Sequence, residues 1–122
     1  MNSDKIISQL RLQYPGKNIF SLPADNRTEI ICEVEPSLNH PEYSLAIAII
    51  DKSAPHFHCR STETYKVLKG KLILIIEQKK ISLKAGDKFI IKPGKVHAAI
   101  GKQTWVECIS KPGWTRQDHI LS

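Results

Sequence analysis

From Asn18 onward the chain is a run of short apolar segments broken at regular intervals by turn residues, and that punctuation limits the possible folds more than any other feature. The apolar segments cover residues 18–22, 28–35, 43–50, 63–68, 71–77, 81–83, 88–91, 96–100 and 104–110. Between them stand Pro23-Ala-Asp-Asn26, Pro36 to Pro41, Lys69-Gly70, Gln78-Lys-Lys80, Ala85-Gly-Asp87 and Pro93-Gly94, residue types that start or complete turns. Segments this short do not carry helical periodicity. Their spacing predicts an all-β fold in which antiparallel hairpins close into a sandwich or barrel.

The N-terminus differs. Residues 3–14 place Ile6, Ile7 and Leu10 at helical spacing, with Ser3 as N-cap and Pro15-Gly16 as a stop, which predicts a short amphipathic helix. A chain of 122 residues has room for one domain. Its barrel core is expected at about residues 28–111, with a tail, 112–122, packing back on the barrel. In that tail Pro112-Gly113 ends the last strand and Trp114 reads as an anchor. Ala46-Ile-Ala-Ile-Ile50 and Leu72-Ile-Leu-Ile-Ile76 are apolar on both faces, so something must cover their outer sides. The helix, a neighbouring sheet or a second copy of the chain would do so, and a homodimer is the expected assembly.

Charge and cysteine content narrow the function classes. The net charge of +6 is concentrated between Lys66 and Lys111, where eleven lysines face only Glu77, Asp87 and Glu107. Lysines that alternate with apolar residues or sit at hairpin tips fit solvated strand faces, so a nucleic-acid partner is not expected. The first residues lack the basic and apolar regions of a signal peptide, and no apolar run approaches the ~20 residues of a membrane span. A cytoplasmic protein without a membrane partner is expected. Cys32, Cys59 and Cys108 follow no zinc-ribbon spacing and read as free thiols.

The candidate chemistry lies in His56-Phe-His58-Cys-Arg-Ser-Thr-Glu63 together with His97. In an extended segment His56 and His58 leave the same face with Cα atoms about 6.6 Å apart, suitable for two adjacent ligands. Glu63 is out of phase with them on a regular strand, so the intervening residues must bend before it can face inward, with Tyr65 and Val67 on its side. His97, after Lys92-Pro-Gly94, supplies the last group from across the barrel. Three neutral imidazoles and one carboxylate favour a divalent transition metal (Fe, Mn, Ni, Cu or Zn) over Mg or Ca, and leave positions open for substrate, water or dioxygen. Burying those four groups without an ion would leave costly polar atoms. His40, in a Pro-rich loop, and His119, in the tail, read as surface or hydrogen-bonded residues outside the site. Cys59 points away from its neighbouring ligand.

With these residues in hand, the chain resembles the cupin superfamily. His56-Phe-His58, Glu63 and Gly70 meet the family's first motif, and Gly86-Asp87, Pro93-Gly94 and His97 meet the second. Ile50, Lys92 and Gly101 depart from the usual Gly, Pro and Asn, and none of them is a ligand. The resemblance implies a double-stranded β-helix, or jelly-roll barrel, with one metal inside and frequent dimerisation. It also implies dioxygenase-, decarboxylase- or isomerase-like chemistry.

The resulting expectation is a metal-dependent enzyme acting on a small polar or anionic metabolite in the barrel mouth. Tyr65 is the inward candidate for an acid or base, or else a core aromatic, and Lys92 and Lys95 are expected to flank the entrance. The alternative is a non-catalytic small-molecule or sugar-binding barrel whose metal is structural.

Overall fold

In the computed structural model, which describes residues 1–23 and 27–122, the N-terminal helix is α1 (Ser3–Gln13). The strands are β1 (Asn18–Leu22), β2 (Glu29–Glu35), β3 (Ser44–Phe57), β4 (Thr62–Lys69), β5 (Lys71–Ile76), β6 (Lys79–Lys84), β7 (Lys88–Ile91), β8 (His97–Lys111) and β9 (Ile120–Leu121). A 3-10 turn, Arg116–Asp118, precedes β9. Of the turn expected at residues 23–26, all but Pro23 lies outside the described residues. The helix is capped by Asn2 rather than the expected Ser3: Asn2 Oδ1 accepts the Lys5 N–H at 3.2 Å, so the helix starts one residue earlier on the cap than the sequence reading placed it.

The strands hydrogen-bond in the order β1-β2-β3-β8-β4-β7, with β5 joining β6 to β8 and β9 flanking β3. β3 and β8 are the long members, and each serves both halves of the roll. The first half of β3 pairs with β2 and with the end of β8; beyond a register shift at Ile50/Lys52 it pairs with the start of β8, from Lys52 opposite Ile100 to His56 opposite His97. β8 pairs with β5 in its first half and with β4 in its second. These crossings make the chain a double-stranded β-helix, the expected all-β barrel with a short N-terminal helix.

The sequence reading ended one strand at Ile50 and split another at residues 101–103, whereas both strands continue. The corner between them is a bulge built from residues that look like turn formers. A Cβ on Gly101 would lie 2.4 Å from Thr104 Oγ1 and 2.9 Å from the Ile50 carbonyl oxygen, so only glycine allows the two backbones to approach. Gln103 takes a positive φ of 48° and donates its N–H to Asp51 Oδ1 at 2.7 Å. Thr104 Oγ donates to the Lys71 carbonyl at 2.6 Å, tying β5 to the same corner.

Two apolar clusters follow from the period-2 alternation. Inside the barrel, Ala48, Ile50, Tyr65, Val67, Leu72, Leu74, Ala99 and Val106 pack together. On the outer side of the same strands, Ile30, Cys32, Ile47, Ile49 and Trp105 are covered by Ile6 and Leu10 of α1. The helix therefore covers the second face of 46–50. Among the described residues nothing comparable covers the outer side of 72–76: Ile73 and its partner Ile100 stay 40% and 45% exposed. Among the described residues no helix is long and apolar enough to cross a membrane.

Candidate metal centre

β3 delivers His56 and, one residue past its end, His58; β8 begins with His97, directly opposite His56 in the ladder. The bend at residues 59–61 shifts the phase as the sequence demanded, and β4 returns Glu63 to the same interior. All four side chains are buried, and their candidate ligand atoms lie within 4.8 Å of one another. The structure thus brings together the complete set singled out in the sequence.

The outward nitrogen of each imidazole is tied to the backbone. His56 Nδ1 lies 2.8 Å from the Ala54 carbonyl, His58 Nδ1 2.9 Å from that of Asp118, and His97 Nδ1 2.9 Å from that of Lys95. A carbonyl oxygen can only accept, so each Nδ1 carries the proton and each neutral ring turns an Nε2 lone pair inward. There they meet Glu63 Oε1, 2.9 Å from His58 Nε2 and 3.1 Å from His97 Nε2. Three lone pairs and a carboxylate facing one another repel unless a cation or shared protons stand between them.

One atom shows which is the better fit. His58 Nε2 is close enough to Glu63 to feel its charge, yet it is off the hydrogen-bond axis. It is the single buried side-chain nitrogen or oxygen without a hydrogen-bond partner among the described residues. A buried nitrogen 2.9 Å from a carboxylate without a hydrogen bond to it, clustered with two more imidazoles, suits a metal better than a proton. The donor set of three nitrogens and one carboxylate oxygen suits a divalent transition ion.

Electrostatics without a metal follow the same geometry. Burial, then the neighbouring His97 and His119 rings, push His56 down to about 3. Burial also opposes a charge on His58, but contact with Glu63 outweighs it and raises that ring above its usual value. Burial would raise Glu63 as well; the His58 and His97 contacts reverse this and hold its carboxyl well below the ordinary range.

The C-terminal tail backs this centre, a role the sequence reading missed. Asp118 is buried and its carboxylate accepts the N–H groups of Cys59 (2.9 Å), Arg60 (3.2 Å) and Ser61 (3.2 Å), fixing the bend between His58 and Glu63. Its own carbonyl is the partner of His58 Nδ1. His119, expected to lie outside the site, stacks on His56 with ring centroids 4.2 Å apart and planes 16° from parallel. Trp114 Nε1 donates to His119 Nδ1 at 3.3 Å, and the indole stacks on Phe20, so Trp114 does anchor the tail. One local signal was available: Thr115 caps the turn that ends in Asp118, a Thr-x-x-Asp pattern that marks a helical start.

His56 and Glu63 border an inner cavity of about 50 Å³ lined by Glu29, Tyr65, Cys108, Trp114 and His119 among others. Five residues, Leu22, Glu29, His56, Trp114 and His119, are shared with an outer vestibule of about 260 Å³ that Arg116 borders. Burial, then the Glu63 charge, push the Tyr65 phenol well above its normal value and keep it neutral. Burial and the Glu63 charge likewise push Glu29 up to about 8. Lys92 and Lys95, expected at the entrance, border none of these spaces. Lys95 Nζ lies instead 3.8 Å from Glu77, on the outside, because lysine density along a sequence does not say which face of a strand carries it. Cys59 is exposed, as its strand parity required, and all three cysteines are free.

Residues 47–104 match the family model described as a cupin domain. Among solved structures, the nucleoside dehydratase Pac13 of Streptomyces superposes with a TM-score of 0.75 at 15% identity over 88% of each chain. KdgF from Halomonas sp. gives 0.68 at 20% identity, covering 83% of this chain and 91% of the other. The ectoine synthase of P. lautus gives 0.63 at 14%, covering 75% and 69%. At such identities the likeness is one of fold. No curated protein matches the chain in sequence.

Proposed function

The chain belongs to the cupin superfamily, and on that premise we propose that it is a metal-dependent enzyme acting on a small polar metabolite inside the barrel. One observation carries the reading: three imidazoles with their Nδ1 atoms tied to backbone carbonyls and a Glu63 carboxylate bring their candidate ligand atoms within 4.8 Å of one another. A purely structural cluster has no need of an open face, whereas this one borders a cavity. Neighbours of the same fold that are named as a nucleoside dehydratase and an ectoine synthase support an enzymatic use of such a barrel.

In this reading His56, His58, Glu63 and His97 hold one divalent transition metal, which supplies Lewis acidity toward an oxygen of the substrate or activates dioxygen. The chain's own groups do the rest. Tyr65 offers a phenolic proton from the cavity wall. His119, whose Nδ1 accepts from Trp114, carries its proton on Nε2 and is a second donor bordering the cavity. Trp114 and Phe20 supply an apolar wall that excludes water.

The test has two steps. Purified protein should carry close to one equivalent of transition metal, and His58→Ala and Glu63→Ala should lose it. Metal-replete protein is then offered diols, 1,3-diketones, thiols and keto-sugars with Fe(II) and oxygen, following oxygen uptake and isomerisation. Turnover is the expected result. Saturable binding without turnover across the panel would identify a sensing or sugar-binding barrel instead.

A further inference from the structure

The lysine excess suggests an anionic ligand, but the interior is acidic. Along β2 the alternation sends Ile30, Cys32 and Val34 toward α1, and turns Glu29, Ile31, Glu33 and Glu35 to the cavity. Three carboxylates thus stand on an inward face, and no lysine or arginine borders the inner cavity. Arg116 borders the vestibule, held over the Phe20 and Trp114 rings at 5.5 and 6.0 Å.

The three carboxylates are not equivalent. Glu33 accepts from Asn18 Nδ2 at 2.8 Å, and Glu35 accepts from the Tyr43 hydroxyl at 3.2 Å with His40 Nε2 at 3.4 Å. Glu29 is only 7% exposed, yet among the described residues its side chain makes no hydrogen bond or ion pair. It borders both the inner cavity and the vestibule, as His56 does. A carboxyl that opens on the cavity from a largely buried residue, with no partner among the described residues, leaves acceptor capacity for something that enters there.

We infer that Glu29 is a specificity residue for the ligand of this site: it accepts a hydrogen bond from a hydroxyl or ammonium group of a small neutral or cationic molecule, and disfavours one that presents a carboxylate or phosphate there. The inference rests on the metal-centred reading above. A ligand of this class places one oxygen or nitrogen at the quartet, a donor group at Glu29, and any apolar face against Trp114. Above about pH 8, where Glu29 is ionised, its charge adds to the selection, because a second negative charge would be brought into the same poorly solvated cavity.

The test uses Co(II)-loaded protein and three small probes of similar size: 2-aminoethanol, ethylene glycol and glycolate. Binding is read from the visible spectrum of the bound cobalt at pH 9, where Glu29 is ionised, in the wild type and in Glu29→Gln. Cobalt content is measured first; failure to hold cobalt sinks the metal-centred reading itself. With cobalt retained, the glutamine variant should bind 2-aminoethanol at least fivefold more weakly and glycolate at least fivefold more tightly than the wild type. Comparing the same probe between proteins removes its intrinsic taste for cobalt. A loss for 2-aminoethanol alone assigns Glu29 an ammonium partner, and a matching loss for ethylene glycol assigns a hydroxyl; either supports the inference. Equal shifts for all three probes, weaker glycolate binding in the variant, or no binding of either donor probe to the wild type overturns it. Should the variant fail to fold, the wild type decides alone: relative to aqueous Co(II), its site must favour 2-aminoethanol over glycolate.

Discussion

The strands that carry the four converging side chains and the tail that backs them contribute to one centre in different ways. His56, His58, Glu63 and His97 come from rigid, laddered strands and face inward by strand parity. The tail contributes none of the four. It holds the Nδ1 side of His58 through the Asp118 carbonyl, ties down the bend after it through the Asp118 carboxylate, and lays His119 on His56. The set of four side chains is therefore fixed by short-range periodicity, while its orientation depends on contacts between residues almost sixty positions apart. In this barrel, which atoms meet and how firmly they are aimed are separate properties with separate origins.

That separation can be broken by mutation, most severely at the strands. Glu63→Ala removes the one negative charge among three lone pairs, and its metal affinity should fall by well over the ~100-fold that bounds the loss of an outer partner. Equilibrium dialysis against a competing chelator reads it. A smaller loss would mean that the imidazoles alone suffice. Asp118→Ala tests the tail: affinity should fall by about 10- to 100-fold with the ligands intact. The three freed N–H groups should also cost about 1–3 kcal/mol in urea unfolding of the metal-free protein. An affinity equal to wild type would show that the tail only packs.

Acid titration sharpens the same contrast. His56 and His119 are both held below the value of 6.5 that a free imidazole shows, to about 3 and about 4, with burial the first cause in each. In the metal-free protein the unfolded chain takes up a proton at each position before the folded one does. Each residue thus makes stability fall as pH drops below 6.5, down to about 3 for His56 and about 4 for His119. Denaturant midpoints measured across that window should flatten in His56→Gln and flatten less in His119→Gln. The reverse order would place the tail, not the strand, as the less solvated side. The smallest effect is expected for Trp114→Phe, which keeps a ring against Phe20 and deletes only the N–H given to His119. About 1 kcal/mol of stability or less should go, with metal content unchanged.

What the sequence made legible follows the same line. Period-2 patterning and turn residues place β1 and β7 to the residue, and the parity of His56 and His58 together with the forced bend before Glu63 describes the interior cluster. The continuation of β3 past Ile50 and the unity of β8 were hidden because Asp51 and the segment Gly101-Lys-Gln103 resemble a turn. They form a bulge whose need for glycine appears only when Ile50 and Thr104 are seen against Gly101. Glu29 opens β2 and carries no mark in the sequence, because its burial exists only once the barrel closes over it. Asp118 and His119 share no periodicity with the residues they support, so their roles exist only in the tertiary structure.

The most direct test of the centre is the ¹⁵N spectrum of the histidine rings during titration with Zn(II). His56, His58 and His97 should each shift to the pattern of an imidazole protonated at Nδ1 and coordinated through Nε2, saturating at one equivalent, while His40 and His119 keep free-ring signals. Three rings that ignore the added metal, or that bind it through Nδ1, would contradict the account.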